Sequence, residues 1–157
     1  TQGIGNCFLG VPILKKTYRV RAEEKLMSVL AFGIAKGSCH RKHIDAKRLE
    51  LNDLCVFKEA PRQWMKQLLE AARMAPSALN TQPWRFVVFD NRIHVFSKKH
   101  AVDRLGKWDE LNFGIMFSNM QVVAEACWLD IDLIRLEELS QKNFPNNQYV
   151  LSVILRP

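Results

Sequence analysis

A chain of 157 residues, 48% hydrophobic and 25% charged, has the size of one ordinary domain and the composition of a soluble globular protein. No uninterrupted apolar run approaches the roughly 18–20 residues of a membrane helix. The start, Thr1-Gln2-Gly3-Ile4-Gly5, lacks the basic and apolar regions of a secretory signal. The net charge of +7 is scattered, with a modest concentration over residues 36–48 and no interleaving of aromatic and basic residues, so no nucleic-acid platform is expected. The charge reads first as solvated surface and second as attraction for phosphate at one site.

In chain order, residues 3–10 read as the end of a helix leading into a glycine-punctuated loop, and residues 12–25 as a short polar helix. Residues 26–35 form an almost continuous apolar run whose length and flanking turns favour a buried central strand. Lys36-Gly37-Ser38 is a turn, and residues 39–57 are mostly loop, with a short helix near 45–51. Pro61 starts a helix at a favoured position; Trp64, Leu68, Ala71 and Ala72 share its apolar face, with Met65 and Leu69 beside them. Pro76 ends it. Residues 86–89 and the alternating stretch around Ile93 and Val95 form a hairpin across Asp90-Asn91. Residues 109–128 are the longest helix, with polar interruptions at Ser118 and Asn119. Residues 128–134 and 149–155 are strands separated by a polar loop around Pro145-Asn146-Asn147.

The densest chemistry lies between that first helix and the hairpin, in Ala75-Pro76-Ser77-Ala78-Leu79-Asn80-Thr81-Gln82-Pro83-Trp84. Ser77, Asn80 and Gln82 bring hydroxyl and amide groups that donate and accept, as the edge of a flat heteroaromatic ring requires. Pro76 and Pro83 stiffen both ends. The same residue types also build an ordinary capped turn. The four cysteines, Cys7, Cys39, Cys55 and Cys127, include no Cys-x-x-Cys pair, so reduced thiols of a cytoplasmic protein are expected. Cys39-His40 with His43 is the sole soft-ligand cluster, and no further ligands at metal spacing complete it, so no metal site is expected. Neither a nucleophile triad nor paired carboxylates are evident.

The string Pro76-Ser77-x-x-Asn80-x-Gln82-Pro83-Trp84 resembles the flavin loop of the nitroreductase family, Pro-Ser-x-x-Asn-x-Gln-Pro-Trp. Three more segments are similar to that family. Gly3-Ile4-Gly5-Asn6-Cys7-Phe8-Leu9-Gly10 is similar to its Gly-Leu-Gly-Thr-Cys-Trp-Ile-Gly. The strand and turn at 26–37, followed by Arg41-Lys42, resemble its apolar strand and basic pair. The helix holding residues 114–120 looks like its long central helix. The segment order is reversed relative to an ordinary member, which the two-repeat, pseudo-dimer subgroup explains. Within a single domain spanning 1–157, residues 1–37 would be the tail of a first repeat and 58–157 the second repeat. The rest of the first repeat, with its Arg-Arg-Ser-x-Arg phosphate motif, would be missing.

The resemblance implies an α+β fold of three layers, with a mainly antiparallel sheet flanked by helices. It implies non-covalent FMN, electrons from NAD(P)H and a small electron-poor acceptor such as a nitroaromatic or quinone, with no membrane or nucleic-acid partner. Self-association, or pairing with the missing N-terminal segment, would cover apolar surface near residues 1–10. Pro76, Ser77 and Asn80 would contact the ring edge or ribityl chain, and Gln82 would either touch the flavin or hold the loop in shape. The backbone of Phe8, Leu9 and Gly10 would approach the flavin N5; a plain helix-capping glycine is the alternative at Gly10. Arg41 and Lys42 would meet the phosphate, or else form a solvated basic turn. Trp84 is expected in the core and His94 on a strand surface. A flavin-binding protein without catalysis and a basic nucleic-acid module are the competing functions.

Overall fold

The computed structural model describes residues 4–9, 21–24, 26, 28–34, 36–37, 46–99 and 108–156. The chain divides into two compact units, Thr1–Ala46 and Lys47–Pro157.

In the first unit, β1 (Ile4–Leu9) pairs antiparallel with β2 (Val29–Ile34), in a register running from Ile4 opposite Ile34 to Leu9 opposite Val29. The expectation of a helix end at 3–10 is therefore wrong over residues 4–9. Six residues are too few for helical periodicity to declare itself, and a partner strand settles the conformation instead. The strand in 26–35 forms as expected but is not a buried central one. It belongs to a two-stranded sheet, and Phe32 and Ile34 are 78% and 95% exposed. Gly37 closes the following turn at φ 106°, which only glycine adopts without strain. Of the helix expected over 12–25, the described residues 21–24 form a turn instead, with Glu24 N donating to Arg21 O at 3.0 Å. Gly10, Arg41, Lys42 and the Cys39–His40–His43 cluster lie outside the described residues.

The second unit opens with α1 (Leu51–Leu54) and β3 (Cys55–Phe57), later than the helix expected near 45–51. A three-residue strand is too short to alternate visibly; parallel pairing with β4 (Trp84–Val88), Cys55 opposite Phe86, is what makes it one. Then come α2 (Gln63–Met74), β4 (Trp84–Val88), β5 (Arg92–Lys98), α3 (Asp109–Ala126), β6 (Asp130–Ile134), α4 (Glu137–Ser140) and β7 (Asn147–Arg156). The single-turn α4 falls where the sequence suggested loop. The sheet order is β3-β4-β5-β7-β6, and every pair except β3–β4 is antiparallel. This is the expected α+β class, a five-stranded sheet flanked by helices. No described helix is long and apolar enough to cross a membrane.

Alternation along the strands builds the core. Trp84, Phe86 and Val88 of β4, Ile93 and Val95 of β5, and Val153 and Leu155 of β7 are all buried. They form one cluster with Met65, Leu68, Leu69 and Ala72 of α2 and with Phe113, Met116, Met120 and Ala124 of α3. Each large side chain taken fully out of water contributes about 1.5–3 kcal/mol. Trp64, expected on the buried face of α2, is half-buried. The arginine of its cap, Arg62, instead reaches Asp90 in a bidentate pair at 2.8 and 2.7 Å. α2 and α3 pack on each other and share the core cluster with Trp84 at the start of β4, which fixes where the segment between α2 and β4 must turn.

Candidate functional site

That segment turns sharply. After Met74 the chain leaves the helix with Ala75 and Ser77 extended, then makes a single tight turn over Ala78–Asn80. Leu79, Asn80 and Gln82 stand at φ 51°, 57° and 45°. Asparagine tolerates this left-handed region, but leucine and glutamine carry a steric cost of order 1–3 kcal/mol each. Such a conformation persists only where the surroundings over-determine it.

Here side chains do so. Gln82 is buried and its Oε1 accepts from Leu49 N at 2.8 Å, while its Nε2 donates to Asn80 O at 3.3 Å and its backbone N donates to Ser77 Oγ at 2.9 Å. Asn80 Nδ2 donates to Lys47 O, and Arg48 Nη1 donates to Asn80 Oδ1, both at 2.8 Å. From below, the buried Asn112 of α3 accepts from Ala78 N at 2.9 Å. Arg73 Nη1 donates to Leu49 O at 3.3 Å, tying the strap of residues 47–49 to α2. Charge assistance from the two guanidinium groups makes these bonds stronger than neutral ones.

The clamp leaves one edge outward. Leu79 is 86% exposed, with exposed Asn80 and Pro76 and half-buried Ser77 around it. An apolar side chain ringed by hydroxyl and amide groups suits the face and edge of a planar heterocycle. Beneath the corner, Trp84 is fully buried with its ring edge-to-face against Phe113, centroids 6.4 Å apart, as expected of a core residue. Thr81 Oγ1 and Trp84 Nε1 are buried without a hydrogen-bond partner among the described residues. Arg85 Nη1 donates to Gln82 O at 3.0 Å, and burial lowers this guanidinium's pKa while Asp53 opposes the shift.

The structure thus brings Pro76, Ser77, Asn80 and Gln82 into one corner. Phe8 and Leu9 lie on β1 of the other unit. The two polar interruptions of α3 are both engaged. Ser118 Oγ donates to Gly114 O of its own helix at 2.9 Å, and Asn119 Nδ2 reaches Ala71 O at 3.3 Å, tying α3 to α2. His94, expected on a strand surface, is only partly exposed there. It is half-buried, its Nδ1 lies 2.6 Å from the hydroxyl of fully buried Ser152, and burial with neighbouring Arg92 holds its pKa below the usual value. Arg48, Arg73 and Asn112 were not singled out in the sequence. Asn112 left a signal, a polar residue beside Leu111 and Phe113 in an apolar helix; the arginines left none. Cys55 and Cys127 are free thiols, and burial pushes Cys55 up to about 12. No three His, Cys, Asp or Glu side chains among the described residues could hold a metal together.

The family model described as "Putative TM nitroreductase" matches residues 1–124. The chain belongs to the nitroreductase family. Membership places it among oxidoreductases. Three solved structures share its fold. A "putative nitroreductase" of Thermotoga maritima is 18% identical with a TM-score of 0.60, over 99% of this chain and 58% of its own. The chain therefore spans under two thirds of that protein's length. A "putative NADH oxidase" of Clostridium acetobutylicum is 16% identical with a TM-score of 0.52, over 62% of this chain and 77% of its own. A "putative nitroreductase" of Desulfovibrio desulfuricans, solved in complex with FMN, is 21% identical with a TM-score of 0.50, over 62% and 75%. No curated protein matches the chain.

Proposed function

We propose that the chain forms part of an FMN-dependent oxidoreductase whose flavin lies against the 76–82 corner. The observation that carries this reading is the corner itself: three non-glycine residues held at positive φ by a clamp, with the apolar side chain of Leu79 turned outward beside exposed Asn80 and Pro76. Strain of this kind concentrates at ligand clamps, and the family and the FMN complex of the Desulfovibrio relative support the choice of ligand. When bound, FMN would supply electron exchange between NAD(P)H and an electron-poor acceptor such as a nitroaromatic or quinone.

The chain's own residues would position that chemistry. Ser77 and Asn80 would hold the ring edge or ribityl chain, Pro76 and Leu79 would pack against it, and Gln82 would keep the loop in shape. The backbone at Phe8, Leu9 and Gly10 would approach N5, and Arg41 and Lys42 would bind the phosphate. In this reading residues 1–37 and 58–157 belong to two successive repeats. The free Cys55 and Cys127 suit a reducing compartment such as the cytoplasm.

An absorbance spectrum of the purified protein, taken with its intact mass, is the first test, and bound flavin is expected. Bleaching by NADH or NADPH without oxygen is expected of an oxidoreductase; a flavin that stays oxidised would indicate binding without catalysis. Asn80→Ala, and Arg41→Ala combined with Lys42→Ala, should each weaken flavin binding while the circular dichroism is preserved. Unchanged flavin titrations in both variants would remove these residues from the site.

A further inference from the structure

Away from the 76–82 corner, the turn after β6, the α4 turn and the start of β7 enclose a groove of about 330 Å³. Among the described residues three cations line it, Arg135, Lys142 and Lys99, the last just after β5, and not one carboxylate does. The remaining lining is amide, hydroxyl and aromatic, including Gln148 and the ring of Phe144. Among the described residues no carboxylate pairs with Arg135 or Lys142. Glu137, on α4 beside them, is instead engaged by Gln141 Nε2 at 3.2 Å.

The groove is also built rather than loose. Lys99 Nζ donates to Phe144 O at 2.9 Å, which holds the ammonium at the mouth. Arg135 Nε donates to Ser140 Oγ at 3.2 Å, which aims the guanidinium across α4. Phe144 stands edge-to-face on Phe96, centroids 5.0 Å apart, and forms an apolar wall. Three like charges gathered around one concavity repel one another, and a multivalent anion relieves that repulsion while accepting charge-assisted hydrogen bonds. A volume of this size exceeds one small ion and falls in the range of small-molecule sites.

We propose that this groove binds a small multivalent oxyanion, a phosphomonoester or a polycarboxylate, with Arg135 and Lys142 as its principal contacts and Phe144 against its organic part. The site does not depend on flavin. It would take either a substrate's charged end or a separate effector.

Titration calorimetry on the full chain tests it, with inorganic phosphate, adenosine monophosphate and citrate as separate probes. Saturable binding of at least one probe is expected, weakened about tenfold or more by each of Arg135→Gln and Lys142→Gln. Arg135→Lys should retain more binding than Arg135→Gln. Preference for the two phosphates over citrate assigns a phosphomonoester; the reverse assigns a polycarboxylate. Both cations are exposed, so the variants should keep the parent's circular dichroism, and flavin absorbance in the same samples should be unchanged. Absence of saturable binding for all three probes at millimolar concentration would overturn the proposal. So would binding that both Gln variants leave intact.

Discussion

Gln82 carries three hydrogen bonds into the corner from a buried position: side-chain bonds to Leu49 N and Asn80 O, and its backbone bond to Ser77 Oγ. Truncation to alanine removes the two side-chain bonds and leaves Leu49 N facing a cavity. A buried donor stranded in this way costs about 1–3 kcal/mol. Gln82→Ala should therefore lower the urea midpoint by a corresponding amount, and Gln82→Met, which restores volume without polarity, should recover little of it. Full recovery by methionine would show that packing, not the clamp, sets the stability of this corner. His94 is the second residue with a readable consequence. Its folded pKa lies below the ordinary value of 6.5 because burial and Arg92 disfavour the charged ring. Below about pH 6.5 the unfolded chain then binds protons that the folded chain refuses, so stability is full above that pH and declines as pH falls. Urea midpoints at about pH 7.5 and about pH 5.5 should differ more for the parent than for His94→Gln. Equal differences would place the acid sensitivity elsewhere.

Among the elements, α3 repays attention because its apolar residues surround it rather than form one stripe. Phe113, Met116 and Met120 are buried against α2 and the sheet, while Val122 on the opposite side is 65% exposed. Gly114 lies on that outer side, and a Cβ built there meets nothing within 4 Å. Glycine inside a helix is about 0.5–1 kcal/mol less favourable than alanine. Gly114→Ala should raise the thermal midpoint of the isolated chain. A fall would mean that something covers this face of α3 in solution. The short elements teach a different lesson. The helix α2, the β4–β5 hairpin and α3 were legible because each carries enough residues to display its period and its punctuation, such as Pro61, Pro76 and Asp90-Asn91. The strands β1 and β3 were not, since six and three residues leave the conformation to the pairing partner. The loop chemistry of the 76–82 corner was legible through Ser77, Asn80 and Gln82. Its clamp was not, because Arg48 and Asn112 are 32 residues away on either side of Asn80 and one of them leaves no local pattern.

For the whole molecule, the decisive fact is where the core lies. Among the described residues, every member of the buried apolar cluster falls between residues 54 and 155, inside the unit Lys47–Pro157. The 47–49 strap that holds the corner belongs to that unit as well, through Arg48, Lys47 O and Leu49 N. A segment of ~110 residues with its own sheet, its own helices and a single core is within the size range of domains that fold alone. Residues 47–157 expressed without residues 1–46 should therefore unfold in one cooperative transition. Its tryptophan signal, which includes the fully buried Trp84, should report an unfolding free energy within about 1 kcal/mol of the full chain's. The proposed flavin site makes the opposite demand: with the 1–37 segment it assigns to the N5 side removed, the same fragment should lose flavin. Stability kept while flavin is lost would separate a self-sufficient fold from a site assembled with residues 1–37. Stability lost as well would show that residues 1–46 contribute to the core of Lys47–Pro157.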